Sequence, residues 1–145
     1  MSLTLHYHPL ASYCWKVLVP LYENGTPFTP QLINLGDAAE REAFYSLSPL
    51  RKMPVLVDDA ANRTVAESSI IIEYLDRHHP GPVRFFPTDP EAALEVRFVD
   101  RLLDIYVHEP MQKIVTDKLR PAGKGDAHGV ELAREQLASS YAILE

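Results

Sequence analysis

Charged and hydroxyl side chains stand at the start of one predicted helix in this 145-residue chain. Glu67 and Ser68 come directly before an apolar helical pattern. The unpaired N–H groups of a helix N-terminus attract a carboxylate, while Glu67 can hold an ammonium group. The pair could therefore bind an amino-acid head group, or it could be an ordinary helix cap. Lys52 is available for a second carboxylate, or it is a plain surface lysine.

A lysine, a methionine and a proline stand at the start of a predicted strand. The Met53–Pro54 bond is an X-Pro bond, the one kind of peptide bond for which the cis form costs only about 0.5–1 kcal/mol. A cis bond here would turn the N–H and C=O of Met53 outward, where an extended peptide can pair with them as an added strand does. The alternative is a trans proline that simply begins the strand.

Three side chains that could act on a thiol or an electrophile lie where the first predicted strand gives way to a helix: Tyr7, Ser12 and Cys14. Cys14 is the single cysteine, which excludes an internal disulfide and a metal cluster with a second thiol. No carboxylate or thiol stands at metal-ligand spacing beside the histidines, so no metal site is predicted. Surface or helix-capping positions are expected for His6, His8, His78 and His79.

Composition excludes several classes of protein. With 46% hydrophobic and 23% charged residues, the chain is typical of a globular protein rather than a disordered or collagenous one. Its net charge of −6 argues against a nucleic-acid partner. No apolar run approaches the roughly 20 residues of a membrane span, and the N-terminus lacks the pattern of a signal peptide. We therefore expect a cytoplasmic protein without a membrane partner.

Hydrophobic periodicity and turn residues predict the order βαβ-α-ββα over residues 1–79. The predicted strands are 3–7, 28–33, 54–58 and 63–65, and the predicted helices are 12–24, 37–45 and 68–78. Asp37 with Glu40 resembles a capping box at the start of the second helix, and Ser68 or Ser69 is expected to cap the third. The second strand contains a proline and is expected at a sheet edge.

Prolines concentrate in residues 80–87, which we predict to be an interdomain linker. Residues 88–145 are predicted to be helical. The stretch Thr88-Asp89-Pro90-Glu91 supplies an N-cap, a first-turn proline and a capping glutamate for a long helix, which Pro110 is expected to kink. Another helix is predicted from Val130 onward.

The predicted order, with a proline opening the third strand, is that of the thioredoxin superfamily. Residues 49–56 (PLRKMPVL) and 67–75 (ESSIIIEYL) resemble two signature stretches of soluble glutathione transferases. Residues 7–17 (YHPLASYCWKV) are similar to that family's first strand–helix loop, and residues 88–145 resemble the start of its helical second domain. The chain thus resembles a bacterial-type member whose C-terminal domain is cut short.

The resemblance implies an α/β thioredoxin-like domain followed by an all-α domain, and glutathione as a co-substrate without a metal. Glutathione carries a carboxylate at both ends. The residues that the resemblance implies for its binding are Lys52, Met53, a cis Pro54, Glu67 and Ser68.

The resemblance also implies a group that activates the thiol of glutathione. Ser12 is the first choice, because it resembles the serine that many bacterial and plant members use. Tyr7 resembles the tyrosine of some animal classes, and Cys14 could form a mixed disulfide with glutathione. The pocket for a small hydrophobic electrophile is expected near Leu10, Tyr106 and Met111.

Three functions follow from these residues. The first is a dimeric glutathione transferase of the detoxifying kind. The second is a non-catalytic binding or assembly module of the same fold. The third is a one-thiol, glutathione-dependent oxidoreductase using Cys14, although Ala11 stands where a glutaredoxin has its attacking thiol.

Overall fold

A four-stranded mixed sheet organises the first part of the computed structural model, which describes residues 3–145. Its order is β2-β1-β3-β4, with β1 parallel to β2 and the other neighbouring pairs antiparallel. The strands are β1 (Leu3–Tyr7), β2 (Thr29–Leu32), β3 (Val55–Asp58) and β4 (Arg63–Ala66). Three helices complete this part: α1 (Ser12–Glu23), α2 (Ala38–Leu47) and α3 (Ser68–His78). The predicted order and the edge position of β2 are confirmed.

Helices cover both faces of this sheet, because successive strand side chains point to opposite sides. Leu56 packs in a cluster with α1 and α3, whereas its neighbour Val55 packs against Ile33 and Phe44 on the α2 side. The larger cluster contains Leu3, Leu5, Val17, Leu18, Leu21, Leu56, Val65, Ile71, Ile72, Tyr74 and Leu75. The fold is therefore the thioredoxin-like one expected from the sequence.

Two helix starts differ from their predicted caps. Asp37 caps α2 by accepting from the N–H groups of Ala39 and Glu40, both at 2.9 Å. The Glu40 carboxylate does not close a capping box but accepts from the N–H of Asn34. The N-cap of α3 is Glu67, with no side-chain cap, so the prediction that Ser68 or Ser69 caps this helix is wrong.

A buried polar cluster ties the end of β3 to α3. The Asp58 carboxylate accepts from the Tyr74 hydroxyl at 2.9 Å and lies 2.7 Å from His79 Nε2, whose ring donates because a carboxylate only accepts. Burial opposes ionisation of Asp58, but the bonds with His79 and Tyr74 outweigh it and hold the pKa of the carboxyl below its usual value. Burial and the bond to Asp58 raise the pKa of Tyr74.

Residues from Pro87 onward form a second compact unit, and those up to Phe86 form the first. The second unit is helical throughout, as the resemblance implies. It contains α4 (Pro90–Leu102), a π-helical segment (Leu103–His108), α5 (Glu109–Asp117) and α6 (Ala127–Leu144). Asp89 caps α4 by accepting from the N–H of Ala92. The last helix begins three residues before the predicted Val130, because Asp126 caps it by accepting from Gly129 N–H.

The π-helical segment lies directly before the predicted kink. Pro110 has no N–H, so the carbonyl of Tyr106, four residues earlier, loses its α-helical donor. The buried Ser140 hydroxyl of α6 lies 2.7 Å from that carbonyl and also 2.7 Å from the Gln136 carbonyl of its own helix, so its single proton is shared between the two acceptors. The missing N–H of Pro110 thus coincides with the π-helical segment, and a serine from another helix reaches the carbonyl that loses its α-helical donor.

None of the helices within residues 3–145 is both long and apolar enough to cross a bilayer.

Candidate functional site

One edge of the sheet collects the predicted binding residues. His6 of β1, Val55 of β3 and Ala66 of β4 stand side by side in one row of the ladder. The chain leaves β1 and β4 at this row and enters β3 there. Consequently the loop to Ser12, the Met53–Pro54 turn and the Glu67–Ser68 pair all begin from the same edge.

The loop between β1 and α1 places Ser12 at the first residue of the helix, where its side chain is exposed. The N-cap residue is Ala11, which has no side-chain oxygen to cap the first turn. The indole of Trp15 donates to the carbonyl of Pro9 at 2.8 Å and so fixes the loop to α1. Tyr7 is half-buried and packs against the core, which favours a packing role for its ring.

Cys14 lies in α1 with a fully buried side chain, 0% exposed. Burial raises the pKa of the Cys14 thiol, and a hydrogen bond with the main chain of His8 offsets only part of that rise. The thiolate is the reactive form of a cysteine. The structure therefore disfavours Cys14 as a nucleophile.

The turn before β3 carries a cis Met53–Pro54 bond, as predicted. Within residues 3–145, no hydrogen bond is made by the main-chain N–H or C=O of Met53. The turn is fixed from behind: Ser48 Oγ donates to the Lys52 carbonyl at 3.1 Å, and Arg51 N–H donates to the Ser48 carbonyl at 2.8 Å. Met53 thus presents a donor and an acceptor from a supported turn.

A cleft of about 390 Å³ opens beside this turn. It brings together three predicted residues: Leu10, Lys52 and Met53. Its other lining residues are His8, Ala11, Asn34, Leu35, Gly36 and Arg51, and the last four of these carried no prediction from the sequence. Arg51 places a second cation next to Lys52. The two adjacent basic residues in the sequence could have predicted it. Two cations at one cleft suit a ligand with a carboxylate.

The start of α3 combines an exposed carboxylate with a buried hydroxyl. Glu67 has a φ of +68°, a left-handed conformation that a non-glycine residue adopts only at a cost of order 1–3 kcal/mol. Its side chain is exposed, whereas Ser68 is buried in the first turn. The Lys16 ammonium of α1 donates to Ser69 Oγ at 3.0 Å. Such a strained, exposed residue at a helix N-terminus is suited to holding an ammonium beside a carboxylate.

The three residues predicted for the electrophile lie in different units. Leu10 belongs to the first unit and is 89% exposed. Tyr106 and Met111 belong to the second, with Tyr106 in the π-helical segment and half-exposed. Within the described part of the chain, no group of three or more His, Cys, Asp or Glu side chains is placed to hold a metal ion.

The chain is similar to several known proteins. The model of the glutathione S-transferase N-terminal domain matches residues 5–83. Glutathione S-transferase U10 of Arabidopsis thaliana is 36% identical over 133 residues, covering 91% of this chain and 54% of its own length. Human glutathione S-transferase theta-1 is 31% identical over 97 residues, covering 66% of this chain and 40% of its own. The chain therefore spans about half the length of these curated relatives.

Solved structures match over nearly the whole chain. A glutathione S-transferase from Methylobacillus flagellatus, crystallised with GSH bound, superposes with a TM-score of 0.86 at 27% identity, over 98% of this chain and 68% of its own. A family member from Pseudomonas fluorescens with bound glutathione gives 0.80 at 27% identity, over 99% and 70%. With the family model, the fold and the relatives in agreement, the chain belongs to the glutathione S-transferase family.

Proposed function

We propose that this chain binds glutathione at the His6–Val55–Ala66 edge and activates its thiol for attack on a small hydrophobic electrophile. The observation that carries the proposal is the common edge shared by the Ser12 loop, the Met53 turn and the Glu67–Ser68 pair. The bound GSH of the Methylobacillus relative supports the choice of ligand.

Each part of the tripeptide has a chemical counterpart at this edge. The γ-glutamyl carboxylate binds the N-terminus of α3 at Ser68, and its ammonium binds the carboxylate of Glu67. The main chain of the cysteinyl residue pairs with the N–H and C=O of Met53 as an added strand. Lys52 binds the glycyl carboxylate, with Arg51 as a second cation at the same cleft.

Ser12 stabilises the thiolate in this scheme. A free thiol with a pKa near 8.5 is only a few per cent ionised at pH 7, and lowering that pKa by about two units requires about 2.7 kcal/mol. A hydroxyl hydrogen bond and the N-terminal end of α1 supply energies of this order. The thiolate sulfur then forms a bond to the electrophilic carbon, whose leaving group departs with the electron pair. The thiol proton goes to water.

Glutathione binding is tested by calorimetry on Glu67→Ala and Ser68→Ala. Each should weaken binding by about 1–3 kcal/mol, since a charged group of the ligand is left without its partner. Ser46→Ala is the matched control, because Ser46 is an exposed serine of α2 whose hydroxyl bonds within its own helix. Unchanged affinity in both site variants would refute the proposed binding mode.

Thiol activation is tested by the pH profile of turnover in Ser12→Ala. Loss of the hydrogen bond should raise the pKa of the bound thiol, so the defect should be largest near pH 6.5 and fade towards pH 9. Glutathione affinity should stay nearly constant. A loss that is flat with pH, or full activity at pH 6.5, would rule out Ser12.

The same assay separates the other functions. Cys14→Ser should retain turnover, since the buried thiol is disfavoured as a nucleophile. Loss of all activity in that variant would favour the one-thiol oxidoreductase. Glutathione binding without turnover against any electrophile would favour a binding module.

The electrophile has its own proposed contacts. Leu10, Tyr106 and Met111 are assigned to the electrophile, and their alanine variants should raise its KM with little change in glutathione affinity.

A homodimer would cover the apolar side chains that α4 exposes, among them Leu94 and Phe98, which are 58% and 57% exposed. Sedimentation as a 16 kDa monomer at micromolar concentration would contradict it.

A further inference from the structure

Residues 80–86, called the strap below, are tied to the C-terminal end of α1. Asn24 Nδ2 donates to the Val83 carbonyl at 2.9 Å, and Val83 N–H donates back to Asn24 Oδ1 at 2.9 Å. A Cβ on Gly81 would lie 2.3 Å from Asn24 Cγ, so only glycine fits against this side chain. The strap therefore lies directly on the C-cap residue of α1.

The same strap is tied to the C-terminal half of α3. The buried Asp76 carboxylate accepts from Phe85 N–H at 3.0 Å and from Phe86 N–H at 2.7 Å. Arg84 donates to the Asp76 carbonyl at 2.7 Å. Both phenylalanine rings pack against the cluster that α1 and α3 share. The strap thus joins the two helices at one end. It does so through hydrogen bonds between side chains and main chain, and through apolar contact.

The opposite ends of these two helices carry the proposed glutathione contacts. Ser12 begins α1, Ser68 begins α3, and the Lys16–Ser69 hydrogen bond joins the helices near those ends. A helix of this length is a rod of about 17 Å, so a tilt of about 5° at one end moves the other by about 1.5 Å. Displacements of about 1 Å are enough to disturb a catalytic geometry.

We propose that Asn24 and Asp76 are positioning residues for glutathione. Through the strap they hold α3 at one angle to α1, so that the N-terminus of α3 stays at the spacing from the Met53 turn, and from Ser12, that a single ligand spans. The inference rests on the proposed function. It assigns a role in ligand binding to residues at the opposite ends of the helices from the ligand.

A double-mutant cycle tests the inference by calorimetry on the full chain, well below the unfolding temperature. The variants are Asn24→Ala, Ser68→Ala and the double variant. Asn24→Ala should weaken glutathione binding about tenfold. The Ser68→Ala substitution should then reduce glutathione affinity much less in the Asn24→Ala background than in the wild type. The two reductions should differ by at least about threefold. A purely structural role for Asn24 would leave the two losses additive.

Two further variants keep the test decisive if Asn24→Ala folds poorly. Asp76→Asn retains an acceptor for the Phe85 and Phe86 amides and should preserve affinity, whereas Asp76→Ala should not. Arg77→Ala is the matched control, since it removes a surface ion pair with Glu73 from the neighbouring position of α3. It should leave affinity unchanged.

The outcomes separate the inference from the proposed function. Glutathione binding by the wild type with additive losses, or with no loss in Asn24→Ala and Asp76→Ala, overturns the positioning role alone. No effect of Ser68→Ala also overturns the positioning role, because the cycle then has no coupling to show. Absence of glutathione binding by the wild type, or no effect of both Glu67→Ala and Ser68→Ala, overturns the proposed binding mode and the positioning role with it.

Discussion

The two edges of the same sheet use polar residues in opposite ways. At the His6–Val55–Ala66 edge, Glu67 is exposed in a left-handed conformation and the main chain of Met53 has no partner within residues 3–145. At the other edge, Asp58 stands in one row between Leu3 and Arg63. There the carboxylate is buried and is satisfied by Tyr74 and His79.

This difference separates residues that serve the fold from residues available to a ligand. A buried polar group must find its partner within the protein, because an unsatisfied one costs about 1–3 kcal/mol or more. An exposed group pays no such penalty and can exchange water for a ligand. Substitutions at the Asp58 edge should therefore change stability, whereas substitutions at the Glu67 edge should change binding.

The largest effect is expected from Asp58→Ala. It leaves the buried Tyr74 and the partly buried His79 without their common acceptor and should lower the free energy of unfolding by about 3–5 kcal/mol, measured by urea denaturation. Asp59→Ala, at the exposed next position, is the control and should change it by less than about 0.5 kcal/mol. Equal effects of the two variants would contradict the proposed difference between the edges.

The contribution of Asp58 should disappear in acid. Its pKa is held below the ordinary value of 3.8, so the ionised carboxylate stabilises the fold above that pH and loses this effect as the pH falls through the folded-state pKa. The stability gap between wild type and Asp58→Asn should therefore be full near pH 6 and narrow towards pH 2.5. Urea denaturation across that range measures the gap, and a constant gap would contradict the assignment.

The second unit also contains a buried polar residue that should serve the fold, Ser140 of α6. Ser140→Ala should lower the free energy of unfolding by about 1–3 kcal/mol, because it removes the buried hydroxyl within hydrogen-bond distance of the Tyr106 carbonyl, whose α-helical donor is missing at Pro110. Its neighbour Ser139 is exposed and bonds to Glu135 in its own helix. Ser139→Ala should be close to neutral in the same denaturation experiment, and similar losses in both would argue against the role of the Tyr106 bond.

The smallest effect on stability is expected from Glu67→Gly at the His6–Val55–Ala66 edge, where binding and stability should change in opposite directions. Glu67→Gly relieves a left-handed conformation and should raise the free energy of unfolding by about 1 kcal/mol while weakening glutathione binding. Asn62, with a φ of +50°, is the matched control. Because asparagine tolerates this region, Asn62→Gly should change stability less and binding not at all. A loss of stability in Glu67→Gly would remove the argument that Glu67 is strained.

The sequence by itself determined the order of the elements and the stretches that meet at the His6–Val55–Ala66 edge. Period-two and helical patterns identified the four strands and the helices on them, since these preferences act over a few neighbouring residues. Asp37 and Asp89 were recognisable as helix starts for the same reason. The cis Met53–Pro54 bond followed from the proline and the family resemblance.

Tertiary structure alone decided which polar residues serve the fold. His79, expected at the surface or as a cap, reaches Asp58 at a separation of 21 residues in the chain. Ser140 reaches Tyr106 across 34. Cys14 is disfavoured as a nucleophile because the helix that carries it turns its thiol into the core. Local patterns do not encode such pairings, because a buried group's partner is set by which elements pack together and in what register.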